Sequence, residues 1–281
     1  NYTVPQSSSN NIWPDAAVWG EENVTLFRTA IETYYNHVCL ASNQIVRAIC
    51  DGLVSFLLRN CHGSAASHKQ VLLDAVQTLR NSLETLVPMQ SITDNGNTST
   101  SILTCLGYHK GARHHPGKNM NKNRPLVAAH TDVGVITMLL FDQGNAAVLQ
   151  RISSQDNPGE KPEWINVVLP SLEEDDDPCF VINVGDCLSE LCGKILPSTL
   201  HRVMPVTLDN KTSTPRNCLA MFAGVAPDTV LSFPSLEEEE AARNMTYEEW
   251  RKYRVTRAVH NSASRLKLMK FNSCSNTKES S

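Results

Sequence analysis

The chain is 281 residues long, with 41% hydrophobic and 19% charged residues and a formal net charge of −4. That length can bury a core without disulfide staples, and the mildly acidic balance carries no basic footprint for nucleic acid or an anionic membrane. Nine cysteines without a Cys-x-x-Cys pair argue against a zinc ribbon or a secreted disulfide framework; with no apolar run of transmembrane length and no signal-peptide pattern, a cytoplasmic monomer is expected.

Residues 1–22 are polar, with Pro5 and Ser7–Ser9, and are expected to be irregular. From about Asn23 the pattern turns helical. Phe27, Ile31, Tyr34, Val38, Ile45, Ile49, Leu53 and Phe56 recur at the three-, four- and seven-residue intervals of one helix face, with Gly63 as a stop. Cys39, Cys50 and Cys61 are spaced by eleven, which places them on one stripe as buried thiols. A second helix carries Leu72, Val76, Leu79, Leu83 and Leu86 and ends near Pro88. Asp94–Ser101 is rich in Asn, Gly, Ser and Thr and reads as a loop.

After Ser101 short apolar runs alternate with turn residues: Ile102–Tyr108, Leu126–Ala129, Val133–Phe141, Ala146–Leu149, Trp164–Leu169, Cys179–Val184, Thr199–Val206 and Cys218–Phe222. Strands at this spacing predict a β-sandwich or barrel. The acidic runs Glu173–Asp177 and Glu237–Glu240 repel themselves and are expected in solvated loops. Thr246-Tyr247-Glu248-Glu249 is a capping-box pattern opening a last helix with Trp250, Tyr253 and Val259, and the final ten residues are expected to fray. The division is a mainly helical segment over 1–100, a β-rich core over 101–235, and a C-terminal helix and polar tail over 236–281.

The chemistry centres on His130-Thr131-Asp132. On a strand, residues i and i+2 point the same way, so an imidazole and a carboxylate become neighbouring metal ligands. His201, in Leu200-His201-Arg202-Val203, is the best candidate for a third. Two histidines and one carboxylate on one face of a metal leave the opposite positions open, the arrangement associated with non-haem Fe(II) oxygenases. His-x-Asp alone is a weak signal. His62, His114 and His115 sit in polar stretches and are read as incidental.

Several stretches, in order and in register, strengthen it. These are Asn11-Ile12-Trp13-Pro14 with Phe27-Arg28, Leu106-Gly107-Tyr108-His109, and His130 through Thr137. Val148-Leu149-Gln150, Trp164-Ile165-Asn166-Val167 and Ile182-Asn183-Val184-Gly185-Asp186 follow, then Pro197 through Val203, and Arg216-Asn217-Cys218. From about residue 11 to 258 the chain resembles the iron(II)/2-oxoglutarate-dependent oxygenase superfamily, in particular its isopenicillin N synthase-like, plant-type subgroup.

The resemblance implies a double-stranded β-helix (a jelly roll), mainly β, with α-helices packed on one sheet and the metal inside the barrel mouth. It implies Fe(II) held by His130, Asp132 and His201, with 2-oxoglutarate as co-substrate and O₂. A small molecule would undergo hydroxylation, desaturation or ring closure, with release of succinate and CO₂. It gives Arg216 the distal carboxylate of 2-oxoglutarate, and the rigid guanidinium fork suits a carboxylate. Cys218 replaces the serine expected two residues on, and a thiol is a weaker donor. Tyr108 is a candidate for the missing hydroxyl, or else a core aromatic. Asp186 is read as a turn former rather than a catalytic group. Only residues 1–12 precede Trp13-Pro14, fewer than the family usually has, so either a truncated N-terminal segment or a naturally short form is expected. Residues 64–100 would cap the pocket or serve a partner. Three other activities stay open: an oxidase of the same fold not using 2-oxoglutarate, a zinc hydrolase, which lacks a His-Glu-x-x-His motif here, and a non-catalytic binding protein.

Overall fold

The long N-terminal helix sets the outer layer of the molecule. In the computed structural model, which describes residues 2–4, 13–60, 66–83, 100–108, 124–142, 147–153, 163–168, 179–205, 214–234 and 244–257, this helix, α2, runs over Glu21–Asn60. Glu21 and Glu22 open it and Arg59 closes it, charges of the sign that the helix dipole favours at each end. Residues 1–22 are less irregular than expected. A strand β1 lies at Tyr2–Val4, and a single turn α1 at Ala16–Trp19 precedes α2. Asp15 caps α1 by accepting from the Ala17 N–H at 2.9 Å, and Gly20, at φ 82°, takes the left-handed conformation that lets α2 start in a new direction.

The buried stripe of α2 includes Ile31, Tyr35, Val38, Ser42, Val46, Leu53 and Leu57. Phe56, expected on that stripe, is 47% exposed. Counting by threes and fours can follow either of two adjacent lines on a helix, and here Leu57 is the buried one, while α3 (Ala66–Ser82) follows in the chain. Leu72, Ala75, Val76, Leu79 and Leu83 bury on the facing side. Cys39 and Cys50 are buried thiols, as the spacing predicts; burial pushes the first up to about 11 and the second up to about 12. The expectations for Cys61, Gly63, Leu86–Pro88, 94–99, both acidic runs, Val259 and the tail fall outside the described residues.

Ten further strands and two helices follow. These are β2 (Ile102–Tyr108), β3 (Val127–His130), β4 (Ile136–Phe141), β5 (Ala147–Ile152), β6 (Trp164–Asn166) and β7 (Phe180–Val184). Then come α4 (Asp186–Leu191), β8 (His201–Pro205), β9 (Arg216–Ala223), the short β10 (Val230–Ser232) and β11 (Asn244–Thr246), and α5 over 247–257. Two antiparallel sheets face each other, ordered β1-β2-β9-β4-β7 and β3-β8-β5-β6, with β10-β11 as a separate ribbon. This is the jelly-roll arrangement, mainly β with helices on one sheet.

Strand alternation then sorts the interior into two cores. Leu103, Ile136, Met138, Met221 and Ala223 point outward from the five-stranded sheet and pack under α2 and α3. Ser42 Oγ lies 3.1 Å from Met138 Sδ and the Tyr35 hydroxyl donates to the Ser101 carbonyl at 3.1 Å. Leu139, Cys218 and Ala220 point inward, against Ala147, Leu149 and Val203 of the four-stranded sheet.

Three segments differ from the sequence expectation. The strand expected over Val133–Phe141 begins only at Ile136, because 131–135 leaves the ladder to form a turn. The segment at Asp186 is a helix rather than a turn. The β10-β11 ribbon was not foreseen, since three-residue strands carry no periodicity. The capping box does form: the Thr246 N–H donates to Glu249 at 2.8 Å and the Glu249 N–H to Thr246 Oγ1 at 3.2 Å. Trp250, fully buried, stacks on Phe233 at 5.2 Å and on Tyr247 at 5.9 Å. Among the described residues no helix is long and apolar enough to cross a membrane.

Leu79→Ala leaves a cavity between α2 and α3, where Leu79 is fully buried; it is expected to cost about 2–5 kcal/mol in urea melting. Leu58→Ala, at a position 54% exposed, is expected to change stability by under about 0.5 kcal/mol.

Candidate metal centre and anion pocket

His130 is the last residue of β3 and lies directly opposite His201, the first of β8, beyond a register shift between Val127 and His130. The expectation that Asp132 shares the strand with His130 is corrected: β3 ends at His130 and Asp132 sits in the following turn. Backbone contacts, not strand alternation, aim its carboxylate. The Asp186 N–H donates to the Asp132 carbonyl at 2.7 Å, Cys187 to Gly134 at 3.2 Å, and Gly185 to Val135 at 2.9 Å, while the Val135 N–H reaches the Ala223 carbonyl at 2.9 Å. The turn presses so close that a Cβ on Gly185 would stand 2.0 Å from the Gly134 oxygen, and one on Gly134 2.7 Å from the Ala223 oxygen. Only glycine fits at either place.

The three side chains converge. Asp132 Oδ1 lies 3.6 Å from His130 Nε2 and 3.8 Å from His201 Nε2, and one ligand atom from each residue falls within 4.8 Å of the others. Donors each bonded at about 2.1 Å to one ion stand roughly 3–4 Å apart, so these spacings suit a shared cation. The tautomers suit it too. His130 Nδ1 is 2.8 Å from the Ala128 carbonyl and His201 Nδ1 3.1 Å from the Thr199 carbonyl. A carbonyl only accepts, so each Nδ1 carries a proton, and Nε2 is the ring atom that faces the cluster. Asp132 and His201 are buried, whereas the His130 side chain is 40% exposed and marks the open side.

Asp186 is the first residue of α4, 5% exposed. Its Oδ2 accepts from Thr131 Oγ1 at 3.1 Å and pairs with Arg254 Nη2 at 2.7 Å. Arg254 also approaches Glu190 at 3.8 Å, and the Trp250 indole N–H donates to Glu190 at 2.8 Å. Helix α5 therefore clamps α4, and α4 holds the turn bearing Asp132. Asn183, pointing inward from β7, donates to Asp132 Oδ2 at 3.4 Å. Sequence reasoning missed Arg254, Glu190 and Asn183. Asn183 was findable as a polar residue at an inward position of an apolar strand, but nothing local marks a helical arginine far along the chain.

Arg216 opens β9 on the same inner surface, directly opposite Tyr108, with Cys218 opposite Leu106. It is 6% exposed. Nη1 donates to the Ala147 carbonyl, Cζ lies 4.1 Å over the Phe141 ring, and buried Nε has no partner. Among the described residues it makes no ion pair, and burial pulls its pKa down. Burial pushes the Tyr108 hydroxyl and the Cys218 thiol each up to about 12, so both are neutral at physiological pH. Asp142, the nearby acid, accepts from Asn217 at 2.7 Å. The pocket is thus a dehydrated guanidinium with a spare donor, beside two neutral groups, and among the described residues it holds no ion pair. Strand β5 joins the two regions, since its residues Arg151, Leu149 and Ala147 lie opposite His201, Val203 and Pro205.

Residues 104–223 match the family model described as 2OG-Fe(II) oxygenase superfamily. Among curated relatives, the 2-oxoglutarate-dependent dioxygenase frbA of Dothideomycetidae sp. (strain 11243) is 32% identical over 139 residues, covering 48% of this chain and 38% of that protein. A feruloyl CoA ortho-hydroxylase of Ipomoea batatas is 28% identical over 204 residues, covering 71% of this chain and 51% of that one. The chain thus spans about half the length, or less, of these relatives. Among solved structures, a full-length Neurospora crassa protein crystallised with alpha-KG superposes with a TM-score of 0.54 at 17% identity, over 91% of this chain and 65% of that one. At that identity the likeness is one of fold.

Gly185→Ala is expected to destabilise by several kcal/mol, about 3 or more given a backbone clash, and to lower metal affinity, both read by urea melting and metal titration. Arg254→Gln leaves the Asp186 carboxylate largely buried without its cation; it is expected to cost about 1–3 kcal/mol and to weaken metal binding about 10- to 100-fold, although it touches no ligand. An unchanged metal affinity in both variants would refute the clamp.

Proposed function

Because this chain belongs, through residues 104–223, to the 2OG-Fe(II) oxygenase superfamily, we propose that it is a dioxygenase that uses Fe(II) and 2-oxoglutarate to oxidise a small molecule. The observation that carries this reading is the pairing of two incomplete sites on one interior surface. One is a cluster of two imidazoles and a carboxylate with an open side. The other is a buried guanidinium, Arg216, with an unpartnered Nε and, among the described residues, no ion pair. A co-substrate with a chelating end and a distal carboxylate satisfies both.

The donor set fits Fe(II), since two histidines and one carboxylate leave positions for other ligands. When bound, Fe(II) and 2-oxoglutarate supply the oxidising chemistry: O₂ is consumed, succinate and CO₂ are released, and a C–H bond of the substrate is oxidised. The chain's own contribution is placement. His130 and His201 offer fixed Nε2 lone pairs, and Asp132 is aimed by α4. Arg216 and the neutral Tyr108 hydroxyl offer donors to a carboxylate, while Cys218, a weak donor, adds little. Leu139, Leu149 and Val203 keep water from the space between. Hydroxylation, desaturation and ring closure start from the same oxidation, and a small soluble substrate is the proposed class.

The test is an anaerobic titration with Fe(II) and 2-oxoglutarate followed by visible absorption, because chelation of Fe(II) by the keto acid gives a weak charge-transfer band. The band is expected in the wild type and absent in His130→Ala. In Arg216→Ala, 2-oxoglutarate is expected to bind about 10- to 100-fold more weakly, the loss of a charge-assisted pair. Cys218→Ser is expected to tighten it. Metal binding without a band in the wild type would replace this reading with an oxidase that does not use 2-oxoglutarate.

A further inference from the structure

Resting on that reading and deepening it, we propose that Arg151 binds a carboxylate of the substrate, so that the substrate class is a small carboxylic acid with an apolar body. Three strand registers carry this. Along the four-stranded sheet His130 lies opposite His201, His201 opposite Arg151, and Arg151 opposite Ile165. Directly opposed residues of antiparallel strands share a face, with Cβ atoms about 4.5–5.5 Å apart. The four residues therefore form one row across the sheet, and it starts at the metal cluster. The face is the inner one, because Leu149 and Ala147, two and four residues before Arg151 on β5, are buried against Cys218 and Ala220.

Arg151 is exposed, which places it at the mouth rather than in the packed interior. Among the described residues its one hydrogen bond runs from Nη1 to the adjacent Ile152 carbonyl at 3.2 Å, and it makes no ion pair. Arg202, one residue from His201 but on the outer face, is the contrast. It stacks on Trp164 at 4.1 Å and donates to Gln150 at 2.8 Å. An outward arginine of this sheet is satisfied by protein; the inward one is left with donors to spare. Ile165, 41% exposed at the end of the row, adds apolar surface beside the charge.

Arg151 and Arg216 do different work. Arg216 binds the backbone at Ala147, four residues along β5 and about 13 Å from Arg151 at a strand's rise. One guanidinium thus serves the deep end of the interior and the other the mouth, too far apart to hold the same carboxylate.

The test is calorimetric titration of the anaerobic protein, loaded with Fe(II) and 2-oxoglutarate, with phenylacetic, cinnamic, benzoic and hexanoic acids, each beside its methyl ester. Binding of at least one acid, with its ester at least about 10-fold weaker, is expected. Arg151→Gln is expected to weaken the acid about 10- to 100-fold and leave the ester unchanged, with Arg151→Lys between and Arg202→Gln like wild type. Equal binding of acid and ester, no binding of any acid, or an unchanged acid affinity in Arg151→Gln overturns the proposal. So does loss of the 2-oxoglutarate band in Arg151→Gln, which would assign the residue to the co-substrate. Absence of that band in the wild type instead overturns the Fe(II)/2-oxoglutarate reading, and the acid–ester comparison still decides the role of Arg151.

Discussion

Two backbones meet at Gly134 and Gly185 with no room for a Cβ between them, and the organisation of the site depends on that contact. It lets three N–H groups at the start of α4 seize three carbonyls of the turn after β3. The turn then holds Asp132 where two strand-borne histidines can share its oxygen. A side chain at Gly185 would push α4 from the turn, one at Gly134 would push the turn from Ala223 of β9, and either would move the carboxylate first, since the histidines are fixed independently by the β3–β8 register.

The clamp extends outward from there. Asp186 is buried at a helix start, a favourable place for a negative charge, and it is matched by Arg254 from the last helix. Removing ions from water costs more than their attraction returns unless hydrogen bonds complete them; Thr131 supplies one. Trp250, stacked in its aromatic group and bonded to Glu190, anchors the helix that carries Arg254. The C-terminal helix is thus mechanically part of the metal centre while lying outside it.

The barrel interior has a charge logic of its own. At the deep end an unpaired guanidinium sits among neutral donors; at the mouth a second one stands beside the metal row; between them lie Leu149 and Val203. Among the described residues neither guanidinium makes an ion pair, and the apolar middle keeps the two apart.

Much of this was legible in the chain. His130, Asp132 and His201 could be named as candidates because metal ligands must be specific residue types, and Arg216 because the stretch around it resembles the family, a guanidinium being suited to fork onto a carboxylate. Several strand limits were readable, Ile102–Tyr108 to the residue, because alternation between two packed faces writes itself into the sequence. What stayed hidden depends on residues far apart in the chain. Whether Asp132 shares a strand with His130, which line of α2 is buried, and that Asp186 starts a helix gripped by Arg254 were set by contacts between elements. The same holds for Arg151: local sequence shows an arginine after an apolar strand, and only the register across three strands puts it beside His201. By itself the sequence determined which chemical groups are available and the period of each element; the tertiary structure decided which groups meet, because facing and register are properties of pairs of strands and helices, not of any one segment.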